Sequence, residues 1–239
     1  MPHDNATQPP TNQAATSSSS KARPYAGPMQ PINWHEIRER VLRMTPSVEQ
    51  MWRDLEPTLT SGELDDLQQQ IGAELPNDYQ QFLLHVGRGG PGPSYGITPV
   101  GKVEGRWAWR GEGYEHRPVN LADPFPLRTS DWRVQAELEA AYPDWFAFAT
   151  QANYEAAVQT WHDRHDSIVF DPRRTYGAIP ICEEGCGLRA LLIVTGPERG
   201  HIWLDHRADG RGLTPAWLPH HPRITFAQWY RDWIERQST

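Results

Sequence analysis

Cysteine is nearly absent from this chain: 239 residues hold only Cys182 and Cys186. Two thiols cannot form the disulfide framework on which small secreted domains rely, and they fit a reducing cytoplasm. Lysine is as scarce, at Lys21 and Lys102, with arginine in every other basic position, a bias of composition that carries little mechanism. No run approaches the roughly 20 apolar residues needed for a spanning helix. Residues 1–30 contain no apolar stretch of signal-peptide length. Large apolar side chains are almost missing there too, among Ser17-Ser18-Ser19-Ser20 and repeated Pro, Gln, Asn and Thr. Such a segment cannot offset the entropy of ordering, so 1–30 are expected to be a disordered tail on a soluble, unexported domain over 31–239.

The charge balance excludes a further class. Residues 1–30 hold Lys21 and Arg23 against Asp4, which leaves 21 basic and 29 acidic groups in 31–239. Direct binding of nucleic acid rests on neutralising phosphates and is disfavoured by such an excess. Encounter with a basic protein partner is favoured, although the same balance also serves plain solubility. Hydrophobic residues at 38% suffice for one core.

What is present reads first as short helices. Asn33 and Glu36 have capping-box spacing ahead of Trp34, Ile37, Val41 and Leu42, a stripe that should stop before Pro46. Thr60 and Glu63 repeat the spacing before Leu64, Leu67 and Ile71, and Gly72 ends that helix. Next comes Leu75-Pro76-Asn77-Asp78-Tyr79, where Pro76 suits a first turn and Asp78 its positive end. Tyr79, Phe82, Leu83 and Val86 recur at i, i+3, i+4 and i+7 and send one face into a core. Gly87, Gly89 and Gly90 should then end the helix by taking left-handed conformations.

Short strands follow at 97–100 and 106–109, then an extended piece at 121–127. Asp131 is placed to cap a helix carrying Val134, Leu138 and Tyr142, and another helix is expected around Tyr154, Ala157, Val158 and Trp161. From Tyr176 the period changes to strands, with Thr195 to Gly200 as a hairpin connection. A last helix from Thr225, boxed by Gln228, buries Phe226, Trp229, Tyr230, Trp233 and Ile234. The expected class is α+β: one domain with a small, mostly antiparallel or mixed sheet and helices packed on one side.

Several motifs invite chemistry. Gly92-Pro93-Ser94-Tyr95-Gly96 matches the nucleophile elbow, and Gly87, Gly89 and Gly92 match a dinucleotide fingerprint. Both motifs require a strand before and a helix after, whereas here a helix precedes and strand-like residues follow, so turn chemistry is the better reading. Cys182 and Cys186 with His201, Asp205, His206, His220 and His221 raise a zinc site, yet a second ligand pair at standard spacing is only suggested. Trp161-His162-Asp163-Arg164-His165-Asp166 reads as the solvated end of a helix. Most tryptophans read as core, with Trp107 and Trp109, on one strand face, the best exposed-aromatic candidates for an interface. Nothing assembles a nucleophile, a base and an oxyanion donor, so a binding module without catalysis, cofactor or metal is expected.

The order helix, Leu-Pro-x-Asp-Tyr, apolar helix, Gly-Gly resembles the SUKH superfamily, which includes the Smi/Knr-type fungal cell-wall assembly regulators and many bacterial immunity proteins. The second half continues the likeness with Gly177 to Ile181, Gly185-Cys186-Gly187, Leu191 to Val194, Gly200 to Trp203 and Thr225-Phe226-x-x-Trp229-x-x-x-Trp233. The resemblance covers roughly 48–236, with framework positions at Leu75, Pro76, Tyr79, Phe82, Leu83, Gly89, Gly90, Gly185, Cys186, Gly187, Gly200, Trp203, Phe226 and Trp229. The tail and the middle from Gly101 to Asp171 have no counterpart matched residue by residue. The resemblance implies a cytoplasmic immunity protein that binds and neutralises the toxin domain of a polymorphic toxin, a basic domain and often a nuclease, with no direct nucleic acid or membrane partner. Candidate contacts are Glu183 and Glu184, Asp205 and Asp209, and Trp107 with Trp109. Two alternatives stay open: a regulatory scaffold like the fungal members, with the tail recruiting clients, and a Cys/His zinc enzyme.

Overall fold

A computed structural model describes residues 32–45, 51–111, 114–116, 120–126, 132–219 and 221–237. The expected tail over 1–30, the Asp131 cap, Leu127 and His220 lie outside these residues, and the side chain of Val134 is likewise not described. Helices α1 (Trp34–Arg43), α2 (Ser61–Ile71) and α3 (Asn77–His85) come first. Strands β1 (Val100–Val103), β2 (Arg106–Gly111) and β3 (Tyr114–His116) follow, then α4 (Trp132–Ala140) and α5 (Gln151–Val169). Strands β4 (Ala178–Gly185), β5 (Leu188–Ile193), β6 (Ile202–His206) and β7 (Gly212–Pro215) precede α6 (Phe226–Arg236).

The helix ends form for the local reasons the sequence gives. Thr60 with Glu63, and Thr225 with Gln228, make complete capping boxes, each satisfying two otherwise orphaned backbone donors. Asn33 accepts from the Glu36 amide and Gly72 takes the left-handed cap. Of the α1 stripe, Trp34, Ile37 and Val41 are buried, while Leu42 is 60% exposed. The glycines after α3 act differently from expectation. Gly90 alone of the three has a positive φ. Gly87 and Gly89 are needed for space, since a Cβ on either would lie 2.6 Å from the Glu56 carbonyl oxygen or 2.4 Å from Pro99 Cα.

Among the described residues all strand pairing is antiparallel, and the class is α+β. The strands form two sheets, β1-β2-β3 and β4-β5-β6-β7. Residues 95–98 join them: Ile97 bridges to Gly90 and to Cys182, and the Tyr95 and Thr98 amides donate to the Glu183 and Ile181 carbonyls. Pro99 has no N–H to extend that ladder into β1.

Alternation along β4 to β6 gives the larger sheet two apolar faces. Ile179, Ile181, Leu192 and Ile202 belong to the main core beneath the helices, where Phe226 lies 5.2–6.3 Å from the rings of Trp34, Tyr79 and Phe82. Ala178, Leu191, Ile193, Trp203 and Leu213 form a smaller cluster closed by Phe125, which meets Trp203 edge-on at 5.0 Å. Two buried phenols anchor the helices: Tyr230 donates to the Pro91 carbonyl at 2.8 Å, and Tyr79 accepts from Trp109 Nε1 at 3.0 Å.

Candidate functional site

The four acidic candidates converge at one end of the β4–β7 sheet. β4 turns into β5 through Cys186 and Gly187, both at positive φ (52° and 79°), the two-residue geometry that matches strand twist. Beside it, a single 3-10 turn at Arg207–Asp209 links β6 to β7, and a Cβ on Gly187 would touch Ala208. Register then brings Glu183 opposite Arg189, and Arg189 opposite Asp205, across three strands.

Each carboxylate at this end is already engaged. Glu183 lies 3.4 Å from Arg189, and Glu184 lies 2.9 Å from His206 Nε2. Arg207 grips Asp205 with two bonds of 2.7 Å and reaches on to the Val169 carbonyl at the end of α5. Arg211 binds Asp209, holding its carboxyl below the usual range. Glu183 and Asp205 are buried. The expected acidic patch is therefore a network of paired charges with a nearly balanced sum, and its long-range pull on a basic partner is small.

Trp107 and Trp109 are not part of this end, and they are not exposed. Both are buried in the main core. Gln70 of α2 bonds both the amide and the carbonyl of Trp107, acting as a neighbouring strand would, and Asp66 accepts from its indole N–H. Lys102 sits over the Trp107 ring at 5.3 Å and pairs with Asp66 at 2.6 Å, lowering that carboxyl. α2 lies across β2 at Trp107 and Tyr79 of α3 meets Trp109, and together they turn a strand face that looked free into an interior one.

The other motifs resolve as packing and turns. Ser94 sits in an exposed turn that leads into the 95–98 bridging segment and to β1, without a helix after it. Cys182 is buried, donates to the Pro93 carbonyl at 3.1 Å, and has its thiol pushed up by burial, whereas Cys186 is exposed at the hairpin tip. Among the described residues no three His, Cys, Asp or Glu side chains are grouped to hold a metal ion. The 161–166 run lies within α5, with His162, Asp163, Arg164 and Asp166 exposed but His165 buried on the Trp161 ring at 4.6 Å. Sequence reading missed the aromatic segment Tyr142-Pro143-Asp144-Trp145-Phe146, whose signal was its density of large rings beside a proline and an acid. No described helix is long and apolar enough to cross a membrane.

The framework positions occupy structural roles: Leu75, Tyr79, Phe82, Leu83, Trp203 and Phe226 are fully buried, and Trp229 is half-buried. Pro76 precedes the first turn of α3, and Gly185 and Gly200 hold positive φ. The sequence model of the SMI1/KNR4 family (SUKH-1) matches residues 58–214. The chain belongs to that family. The match takes in α2 through β7 and ends before α6, so it does not reach Phe226 and Trp229. No curated protein and no solved structure matches the chain.

Proposed function

We propose that this SUKH-1 protein is a non-catalytic binding module: a cytoplasmic immunity protein that binds the toxin domain of a cognate polymorphic toxin and blocks it. The observation that carries the reading is the family match over 58–214, joined by the acidic excess of 31–239, which speeds encounter with a basic domain. Partner contacts are assigned to the rim of the hairpin end, at half-buried Glu184, at Asp209 and at the exposed Cys186 tip. A neutralising complex of this kind buries about 1,200 Å² or more and holds at nanomolar affinity or better.

Affinity capture from the protein's own source cells, at low and at high salt, tests this. The expected outcome is a near-stoichiometric partner ending in a small basic domain, whose activity the purified chain inhibits and whose association slows as salt rises. Weak, salt-insensitive binding to every toxin domain encoded nearby overturns it. The second reading, a regulatory scaffold, is favoured by the polar, low-complexity composition of 1–30. Deleting those residues separates the two, because a scaffold loses its partners and an immunity protein keeps them.

A further inference from the structure

Two histidines meet at the junction of α1 and α3. The rings of His35 and His85 lie 4.9 Å apart, centroid to centroid, with their planes inclined by 55°. His35 is exposed and His85 half-buried, so the pair opens to solvent. Other histidines have their nitrogens committed: His165 to Asp166, His201 to the Glu198 carbonyl and His206 to Glu184. Among the described residues, His35 and His85 have no hydrogen-bond or ion-pair partner, and they do not bond each other. Two imidazoles are thus gathered at one place with their lone pairs left to solvent or to a solute.

The backbone beneath them is fixed. Trp34, next to His35, is buried against the rings of Phe82 and Phe226, each at 6.3 Å. One turn on, Arg38 donates to the Val86 carbonyl just past His85, and Arg40 donates to the Ile234 carbonyl of α6. α1 cannot slide along α3 without breaking these contacts. Distance then decides what fits between the rings. A metal bound to an imidazole nitrogen at its usual length lies about 3.2 Å from the ring centroid. Two such rings have centroids about 4.5 Å apart when the ligands meet at a right angle and about 5.2 Å apart at a tetrahedral one. The observed 4.9 Å falls between these limits. Neutral imidazole selects zinc, copper or nickel over calcium and magnesium, which take oxygen ligands. No third His, Cys, Asp or Glu is grouped with the pair among the described residues, so water completes the coordination. Arg38 and Glu39, one turn beyond His35, oppose each other in sign.

We propose that His35 and His85 are a surface site for a divalent transition metal of the zinc–copper class, which staples α1 to the end of α3. α3 lies inside the family match at 58–214 and α1 precedes it. The metal therefore joins an appended helix to the family framework. The site is separate from Cys182 and Cys186 and does not rest on the partner being a toxin.

The probe is zinc chloride, titrated by calorimetry into the full chain after chelator treatment, with calcium chloride as the comparison. One equivalent of zinc is expected to bind with a Kd of about 10 µM, and calcium is expected not to bind. His35→Gln and His85→Gln should each weaken zinc about tenfold or more while the circular dichroism spectrum of the metal-free chain stays unchanged. Zinc should also raise the melting temperature of the wild type, because only the folded chain holds the two rings together, and should raise that of neither variant. Ring-nitrogen resonances identify the ligands directly, and those of His35 and His85 should shift together on zinc addition. Absence of zinc binding, equal binding of calcium, undiminished binding by either folded variant, or ring shifts confined to other histidines overturns the proposal. A failed toxin-inhibition assay leaves these results untouched, so the two readings fail separately.

Discussion

Gly89 shows how little room the turn after α3 leaves for variation. With Pro99 Cα 2.4 Å from where its Cβ would be, Gly89→Ala must push β1 away from α3 and should cost about 1–3 kcal/mol in urea denaturation. Cys186 presents the opposite case. It holds φ 52° at an exposed hairpin position where asparagine tolerates the left-handed conformation better. Cys186→Asn should therefore raise stability by about 0.5 kcal/mol, and the affinity for a partner recovered by the capture experiment is the independent readout of whether the tip is also a contact. At Tyr79 the hydroxyl's value is as acceptor for the buried Trp109 indole. Tyr79→Phe keeps the ring stack but orphans that N–H, a loss of about 1–3 kcal/mol that the same denaturation series would register.

Between elements, the decisive joint is Arg207, which ties β6 to the end of α5 while neutralising buried Asp205. Arg207→Ala strands a buried carboxylate and should destabilise by about 3 kcal/mol. If the cost is the unpaired charge, adding Asp205→Asn recovers part of it; if urea midpoints of the single and double variants coincide, the lost bond to α5 is the cause. This joint was not legible in the sequence, whereas the helix ends were. Thr60 with Glu63 and Thr225 with Gln228 are local signals, complete within four residues, and both formed as read. Glu184 with His206, or Gln70 with Trp107, depends on strand register and on which helix covers which sheet, and no short-range pattern carries that. The same gap explains why the acidic residues could be found as a group while their neutralisation could not. It also explains why Trp107 and Trp109 read as surface, since the cover comes from α2 and from Tyr79 of α3.

At the scale of the whole molecule, groups of opposite kind limit stability from both sides of the pH range. Asp171, held at about 2 by its bonds to Arg173, together with Asp66, Asp209 and Glu63, sits below the ordinary carboxylate value. A depressed folded value means stability that is present above the unfolded pKa near 4 and is lost as pH falls toward 2. Tyr79, Tyr230 and Cys182 are buried and raised, so their contribution is whole below the ordinary values of 9.0 to 10.0 and declines as pH climbs past them. Melting temperature plotted against pH should thus form a plateau from about 5 to 8.5, with an acid slope and an alkaline slope of separate origin. The two can be told apart by substitution. Asp171→Asn should flatten part of the acid limb and leave the alkaline one unchanged, because Asp171 and Arg173 form an exposed pair whose ionisation does not reach the core. Cys182→Ala should soften the alkaline limb while lowering the plateau, since it removes a titrating thiol and packed volume together. An alkaline limb identical in wild type and Cys182→Ala would assign that slope to the two buried phenols.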